Sequence, residues 1–254
     1  MKKIAIAIAA IVSVAMLQSC TSNSKANAGM QNPTTESMTA KTELASIEKE
    51  DSEMESEVKT TAAKIATDAN TINMQNMQEA FKGETTASAK YAAYSKKAEA
   101  EGHHEIALLF LTASKSENIH ANNHKAVIED AGQKTPVITP EFSVKTTAEN
   151  LKDAIAGEGY EISTMYPAFL TNANTAGNQL SLVSLNYAYK TEQKHKPLYE
   201  KALAALQNNT VKSLPLVYYV CSTCGNTYDT TAPKRCGISM TSSEKFIKIT
   251  NLNS

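Results

Sequence analysis

From residue 70 onward the apolar positions recur in steps of three and four, the spacing that stacks side chains along one face of a helix. Between Asn70 and Glu101 such a face holds Met77, Phe81, Ser88, Tyr91, Ser95 and Ala98, with Glu84 in their midst. A second run, His103 to Asp130, aligns Ile106, Phe110, Ala113 and Val127 with Glu117, His120 and His124. A third, Thr147 to about Asn174, aligns Leu151, Ile155, Met165 and Phe169 with Glu158 and Glu161. A fourth, Asn178 to Asn208, aligns Leu182, Leu185, Tyr199, Ala202 and Leu206 with Glu192 and His195. Every predicted inner face therefore carries at least one glutamate.

Gly102 separates the first two segments and Gly177 the last two, so each pair is expected as an antiparallel hairpin. Between the hairpins, residues 132–146 contain Pro136, Pro140 and Phe142 and lack helical spacing. Two hairpins and one long crossover predict a mainly α chain whose residues 70–210 form the ferritin-like kind of four-helix bundle. The 21 Glu against 5 Asp agree with that, because Glu favours helices and Asp does not.

The inward acids need neutralising. An unpaired carboxylate on a buried face costs several kcal/mol, and five of them would exceed what a marginally stable fold tolerates. Their positions also repeat: Glu84 precedes Glu117 by 33 residues and Glu158 precedes Glu192 by 34, and His120 and His195 each follow a glutamate by three. A third Glu-x-x-His, Glu101 to His104, straddles the turn at Gly102 and has no counterpart. His103 and His124 are read as surface or hairpin histidines. Two divalent metal ions would supply the charge that Glu84, Glu117, His120, Glu158, Glu161, Glu192 and His195 require, and carboxylates with one imidazole per metal suit iron or manganese more than zinc or copper.

The ends of the chain differ from this middle. Met1-Lys2-Lys3 and the apolar run Ile4–Leu17 have the form of an export signal, too short to span a bilayer, ending at Leu17-Gln18-Ser19-Cys20. This resembles the lipobox of bacterial lipoproteins, with residues 1–19 removed and Cys20 acylated. It leads to the expectation of an extracytoplasmic chain lipid-anchored at a bacterial cell envelope. Residues 21 to about 42 read as a flexible tether, and Glu43 to about Asp68 as a weak, solvated helix, together a tether over residues 20–69. The net charge of −1 offers no cationic surface for nucleic acid.

Residues 211–254 change character. Val217-Tyr218-Tyr219-Val220 leads into Cys221-Ser222-Thr223-Cys224-Gly225, followed by Cys236-Gly237-Ile238-Ser239. This is similar to a rubredoxin domain, the small two-knuckle module that holds one iron in four thiolates, but Ser239 stands where the fourth Cys belongs. Cys221, Cys224 and Cys236 are candidates for iron or zinc, for a metal-free knuckle, or for a Cys221–Cys224 disulfide in an exported protein.

Over about residues 70–250 the chain resembles the rubrerythrins. The matching residues are Phe81-Lys82-Gly83-Glu84, Tyr91, Glu117-Asn118-Ile119-His120-Ala121, Gly157-Glu158-Gly159-Tyr160-Glu161, Met165-Tyr166-Pro167 and Glu192-Gln193-Lys194-His195. The resemblance implies a non-haem di-iron centre that reduces hydrogen peroxide to water. It makes Glu117 and Glu192 bridging ligands and Glu84 and Glu158 terminal ones, with His120 and Glu161 exchanging on one iron as its redox state changes. His195 is implied as a direct or supporting partner, Tyr91 and Tyr166 as hydrogen-bond donors to ligand carboxylates, and a homodimer by analogy. The electron donor is not implied. Iron storage or oxidation without peroxide turnover, and a structural lipoprotein with a vestigial site, are the competing expectations.

Overall fold

The computed structural model describes residues 36–253, with side chains from residue 52 onward. The export signal, Cys20 and most of the predicted tether lie outside the described residues. Ser56–Ser254 make one compact unit. Its bundle consists of the part of α1 (Glu36–Ala100) that follows Glu55, α2 (His104–Asp130), a third helix in two parts, α3 (Thr147–Tyr160) and α4 (Tyr166–Thr175), and α5 (Gln179–Gln207).

Helix α1 departs from the sequence reading at its start. The chain is helical from Glu36 without a break, through the last of the expected flexible stretch and the charged segment. The cause is local, since no Gly or Pro occurs between residues 36 and 82 and Ala, Glu and Lys favour the helix. Along residues 52–72 nearly every side chain is exposed, including Met54, Val58 and Ile65.

The turns at Gly102 and Gly177 adopt φ of +81° and +66°, the left-handed conformation that ends a helix and suits glycine. Gln78, well inside α1, donates to Gln133 just past α2, whereas Glu101 just past the C-terminus of α1 accepts from Thr147 at the start of α3. The crossover therefore travels the length of the bundle. Its 16 residues, 131–146, can extend roughly 50 Å, enough to run past the roughly 40 Å of α2. Helix α3 then starts on a capping box in which Thr146 and Glu149 satisfy each other's backbone N–H groups. Its first residue is held by Glu101, whose carboxyl is drawn down to about 2 by the Thr147 hydrogen bonds and by Lys97.

A single π-helical turn, Glu161–Met165, joins α3 to α4. Pro167, two residues on, has no N–H to offer the carbonyl of Ser163, so the regular ladder cannot continue through this point. The wider turn carries Met165 and Tyr166 into the core.

After a short 3₁₀ turn at Val211–Ser213 come β1 (Tyr218–Cys221), β2 (Thr227–Asp229) and β3 (Phe246–Ile249) in an antiparallel sheet of order β2-β1-β3. Tyr218, Val220 and Ile249 of this sheet share one apolar cluster with Tyr91, Phe110, Leu151 and Tyr199 of the bundle. A second cluster, with Met77, Ile128, Tyr166, Phe169 and Leu185, fills the other end. The glutamates and histidines form a polar layer between the two.

Candidate metal centre

Each helix delivers its share of that layer. Glu84 comes from α1, Glu117 and His120 from α2, Glu158 from α3, and Glu192 and His195 from α5. Their donor atoms gather into two groups, Glu84–Glu117–His120–Glu192 and Glu117–Glu158–Glu192–His195, which share two carboxylates. His120 Nδ1 lies 2.9 Å from Glu117 Oε2 and 3.0 Å from Glu192 Oε1. His195 Nδ1 lies 3.1 Å from Glu117 Oε1 and 2.7 Å from Glu192 Oε2. Glu117 and Glu192 thus each turn one oxygen to one histidine and the other oxygen to the second.

These atoms approach one another without bonding. Both carboxylate oxygens of Glu117 and of Glu192, Oε2 of Glu158, and Nδ1 of His120 and His195 are buried with no hydrogen-bond partner. Buried polar atoms left unpaired at such close range fit a site built around cations, since each would otherwise carry its full desolvation cost. Hard carboxylates with one imidazole per group suit iron.

Electrostatics tell the same story in protons. Burial raises Glu84 to about 7, aided by the charges of Glu117 and Glu192 and opposed by His120. Burial, then Glu192, push Glu158 well above the carboxylate range, and burial, then Glu84, do the same to Glu161. Glu192 goes the other way, to about 2, because His120 and His195 outweigh its burial. The same carboxylates overcome burial to hold His195 up at about 10 and His120 well above its usual value. With no metal, the cluster needs bound protons to balance its charge.

Hydrogen bonds from outside aim the ligands. Tyr91 donates to Glu158 Oε1 at 2.9 Å, and Tyr166 donates to Glu84 Oε1. The outer nitrogens of both histidines are held by the C-terminal module. His120 Nε2 donates to the Cys224 carbonyl at 3.0 Å, and His195 Nε2 to Thr227 Oγ1 at 2.9 Å. Donation from Nε2 makes Nδ1 of each ring the nitrogen that faces the carboxylates and would give up its proton to a metal. The first knuckle is seated to do this by Ser116, which donates to Gly225 O at 2.7 Å, and by Asn123, which donates to Thr223 O at 2.9 Å. Gly225 has φ +76°, and a Cβ there would lie 2.4 Å from His120 Nε2, so only glycine admits this approach. Thr227→Val keeps the shape and removes the acceptor. Outer partners of this kind are worth about 10–100-fold in metal affinity, and chelator competition should show a loss in that range; unchanged affinity would mean that Thr227 does not orient His195.

The structure brings six of the seven bundle residues named from the sequence into the two groups; Glu161 stands apart from both. It opens the π-helical turn, is partly exposed, and lines a cleft with Lys82, Lys90, Tyr91, Tyr160 and Met165. His124 corrects the sequence reading. It is fully buried, its Nδ1 is 2.8 Å from Ser184 Oγ and its Nε2 3.5 Å from the Tyr166 hydroxyl. Burial and the neighbouring His120 hold it down at about 3 and therefore neutral. Its position four residues after His120 on the same helical face was the available signal. The grip of Cys224 and Thr227 on the histidines had none, because it joins segments far apart in the chain. In the module, Cys221, Cys224 and Cys236 are free, buried thiols gathered in one group.

The rubrerythrin family model matches residues 75–203, which hold all of these bundle ligands. The chain belongs to the rubrerythrin family. It is 30% identical to rubrerythrin-2 of Clostridium acetobutylicum over 70% of its own length and 96% of that protein's. It is 32% identical to a putative rubrerythrin of Methanocaldococcus jannaschii over 60% of this chain and 79% of the other. Fully reduced, all-ferrous nigerythrin superposes with a TM-score of 0.63 at 28% identity, covering 69% of this chain and 86% of that one. A bacterioferritin of Desulfovibrio desulfuricans, at 19% identity and TM-score 0.52, shares the bundle fold. This rubrerythrin-family chain is thus a di-iron carboxylate protein with a cysteine cluster in its C-terminal module.

Proposed function

We propose that the bundle reduces hydrogen peroxide to water at the cell envelope. The observation that carries this is the pair of ligand groups sharing Glu117 and Glu192. Two ferrous ions held there by these residues would supply one electron each, matching H2O2 + 2e⁻ + 2H⁺ → 2H2O. The chain's own residues do the rest. Tyr91 and Tyr166 hold Glu158 and Glu84 in place, and His120 and Glu161 are the pair that the family resemblance makes exchange on one iron. Glu161 lines the cleft from outside and holds a proton at its carboxyl, set to give it to an oxygen arriving that way.

Electrons have a short way in. The Cys224 carbonyl accepts from His120 Nε2 within one chain, which supports electron entry along this contact; the head-to-tail homodimer stays a proposal by analogy. The donor that feeds the module is a separate protein or small reductant.

Rapid mixing of the ferrous protein with peroxide and, separately, with dioxygen tests the reading. Oxidation by peroxide far faster than by dioxygen is expected. Preference for dioxygen with mineral growth would favour iron storage, and a protein that takes up no iron would defeat both. The envelope location rests on the lipobox-like Leu17-Gln18-Ser19-Cys20. Cells expressing the full chain should incorporate radiolabelled palmitate into it and lose the label in Cys20→Ser; label retained by that variant would remove the anchor.

A further inference from the structure

The second knuckle of the C-terminal module keeps the form of a metal-binding turn although its last ligand position is serine. In the first knuckle the Gly225 N–H donates to Cys221 O at 2.9 Å and Gly225 takes φ +76°. In the second the Met240 N–H donates to Cys236 O at 3.0 Å and Met240 takes φ +61°. A methionine in the left-handed region is strained, so the turn holds its shape against the residue's own preference. By this repeat Cys221 corresponds to Cys236, Cys224 to Ser239 and Gly225 to Met240.

Side chains agree with the backbone. Ser239 Oγ lies 3.2 Å from Cys221 Sγ, and Cys224 Sγ lies 3.4 Å from Cys236 Sγ. Three sulfurs and one oxygen therefore close on one another at the spacing of a four-coordinate site. The Ile238 N–H and the Tyr228 hydroxyl point at Cys236 Sγ from 3.4 and 3.5 Å, the outer bonds that hold a ligand sulfur. Ser239 Oγ also sits 2.8 Å from Thr241 Oγ1, itself 2.8 Å from Thr223 Oγ1. Thr241 donates its proton to Thr223, so its oxygen accepts from the Ser239 hydroxyl and fixes where that side chain lies.

We infer that Ser239 Oγ is the fourth ligand of a mononuclear iron site in this module, and that the three-sulfur, one-oxygen set holds the iron at a lower reduction potential than four thiolates would. Oxygen is the harder donor and favours the ferric over the ferrous ion, which moves the potential down. Through Cys224 and His120 the module then passes electrons to the bundle with more driving force. That consequence rests on the peroxidase reading above; the ligand assignment does not.

The full chain, Ser239→Cys and Ser239→Ala should be loaded anaerobically with ferrous iron, oxidised, and followed by iron content, electron paramagnetic resonance and a redox titration of the thiolate-to-iron absorption band. An isolated high-spin ferric signal reports the module, since the coupled diferric pair in the bundle is silent. The unaltered chain is expected to show the signal with its band at higher energy and its midpoint at lower potential than Ser239→Cys. Ser239→Ala is expected to lose the signal and about one iron per chain. A Ser239→Ala protein with the same iron, band and midpoint, a Ser239→Cys protein with an unmoved midpoint, or an unaltered chain with no isolated ferric signal would each overturn the assignment. Oxidation of bundle iron by peroxide is read separately in the same samples, so failure of the function and failure of the ligand are told apart.

Discussion

Glu117→Gln is expected to leave the bundle folded and to empty it of iron, from about two per bundle to less than one, with peroxide turnover falling by more than about 100-fold. Glu117 reaches both histidines, Oε2 at 2.9 Å from His120 and Oε1 at 3.1 Å from His195. A glutamine of the same shape would keep one oxygen and turn an amide N–H₂ toward the other cation, losing one bond to a metal and adding repulsion. Outer partners such as Thr227 account for the lower end of such losses; a residue that spans both groups must exceed it. Glu105→Gln is the matched control. Glu105 is as buried in the same helix, but its carboxylate pairs with Lys212 at 3.0 Å, away from the cluster. It should keep its iron and lose at most about 1 kcal/mol, the worth of a partly exposed ion pair. Iron analysis of both variants, with circular dichroism to confirm folding, decides the matter; equal iron in the two would show that Glu117 bridges nothing.

The second large effect is on stability against pH, and it reverses sign with metal. A group whose value is raised on folding binds its proton more tightly folded, so its stabilisation is complete below the unfolded value and is lost as pH rises through the folded one. Glu84, raised from 4.5 to about 7, loses its contribution across that interval, and Glu158 and Glu161 at higher pH still. His195, raised from 6.5 to about 10, loses its own between those limits. Within the cluster two groups act oppositely, but only in acid. His124, lowered to about 3, gains stability for the fold up to pH 6.5 and nothing beyond, and Glu192 loses its share only as pH falls toward about 2. Above pH 6.5 the cluster's remaining shifts all point one way, whereas the lowered thiols of Cys221 and Cys236 add stability as pH rises toward 9. The loss is therefore read in a chain carrying Cys221→Ser and Cys236→Ser, where the metal-free protein should lose roughly 3 kcal/mol between pH 7 and pH 9. Iron inverts this, because its ligands bind deprotonated and its affinity climbs with pH. Urea unfolding with and without ferrous iron at the two pH values gives the comparison. A metal-free protein equally stable at both would mean that the carboxyls do not share the buried charge described here.

Much of this architecture is written in helical spacing. Glu84, Glu117, Glu158 and Glu192 could be placed together because two hairpins of nearly equal length bring positions 33 and 34 residues apart to the same level, and the Glu-x-x-His step puts His120 and His195 on the same faces. His124 obeys the same spacing, yet its burial does not follow from it, since periodicity gives a face and not a partner. Ser184 and Tyr166, which make its burial bearable, come from α5 and α4. Glu161 is a different case. The face it belongs to was drawn for a regular helix, and the π-helical turn forced near Pro167 moves it to the cleft. The helix begins at Glu36, a few residues before the charged helical segment expected from Glu43, because exposed residues show no apolar rhythm and no helix breaker stands there. The docking of the first knuckle on the histidines depends on backbone carbonyls and on one glycine at φ +76°, features that side-chain patterns do not encode.

Diffraction at the iron absorption edge from crystals of the ferrous-loaded full chain tests the central claim most directly. Two anomalous peaks about 3.5–4 Å apart are expected in the bundle, both between Glu117 and Glu192, one beside Glu84 and His120 and the other beside Glu158 and His195. A single peak, or none, with these side chains turned to water or to lysines, would contradict it.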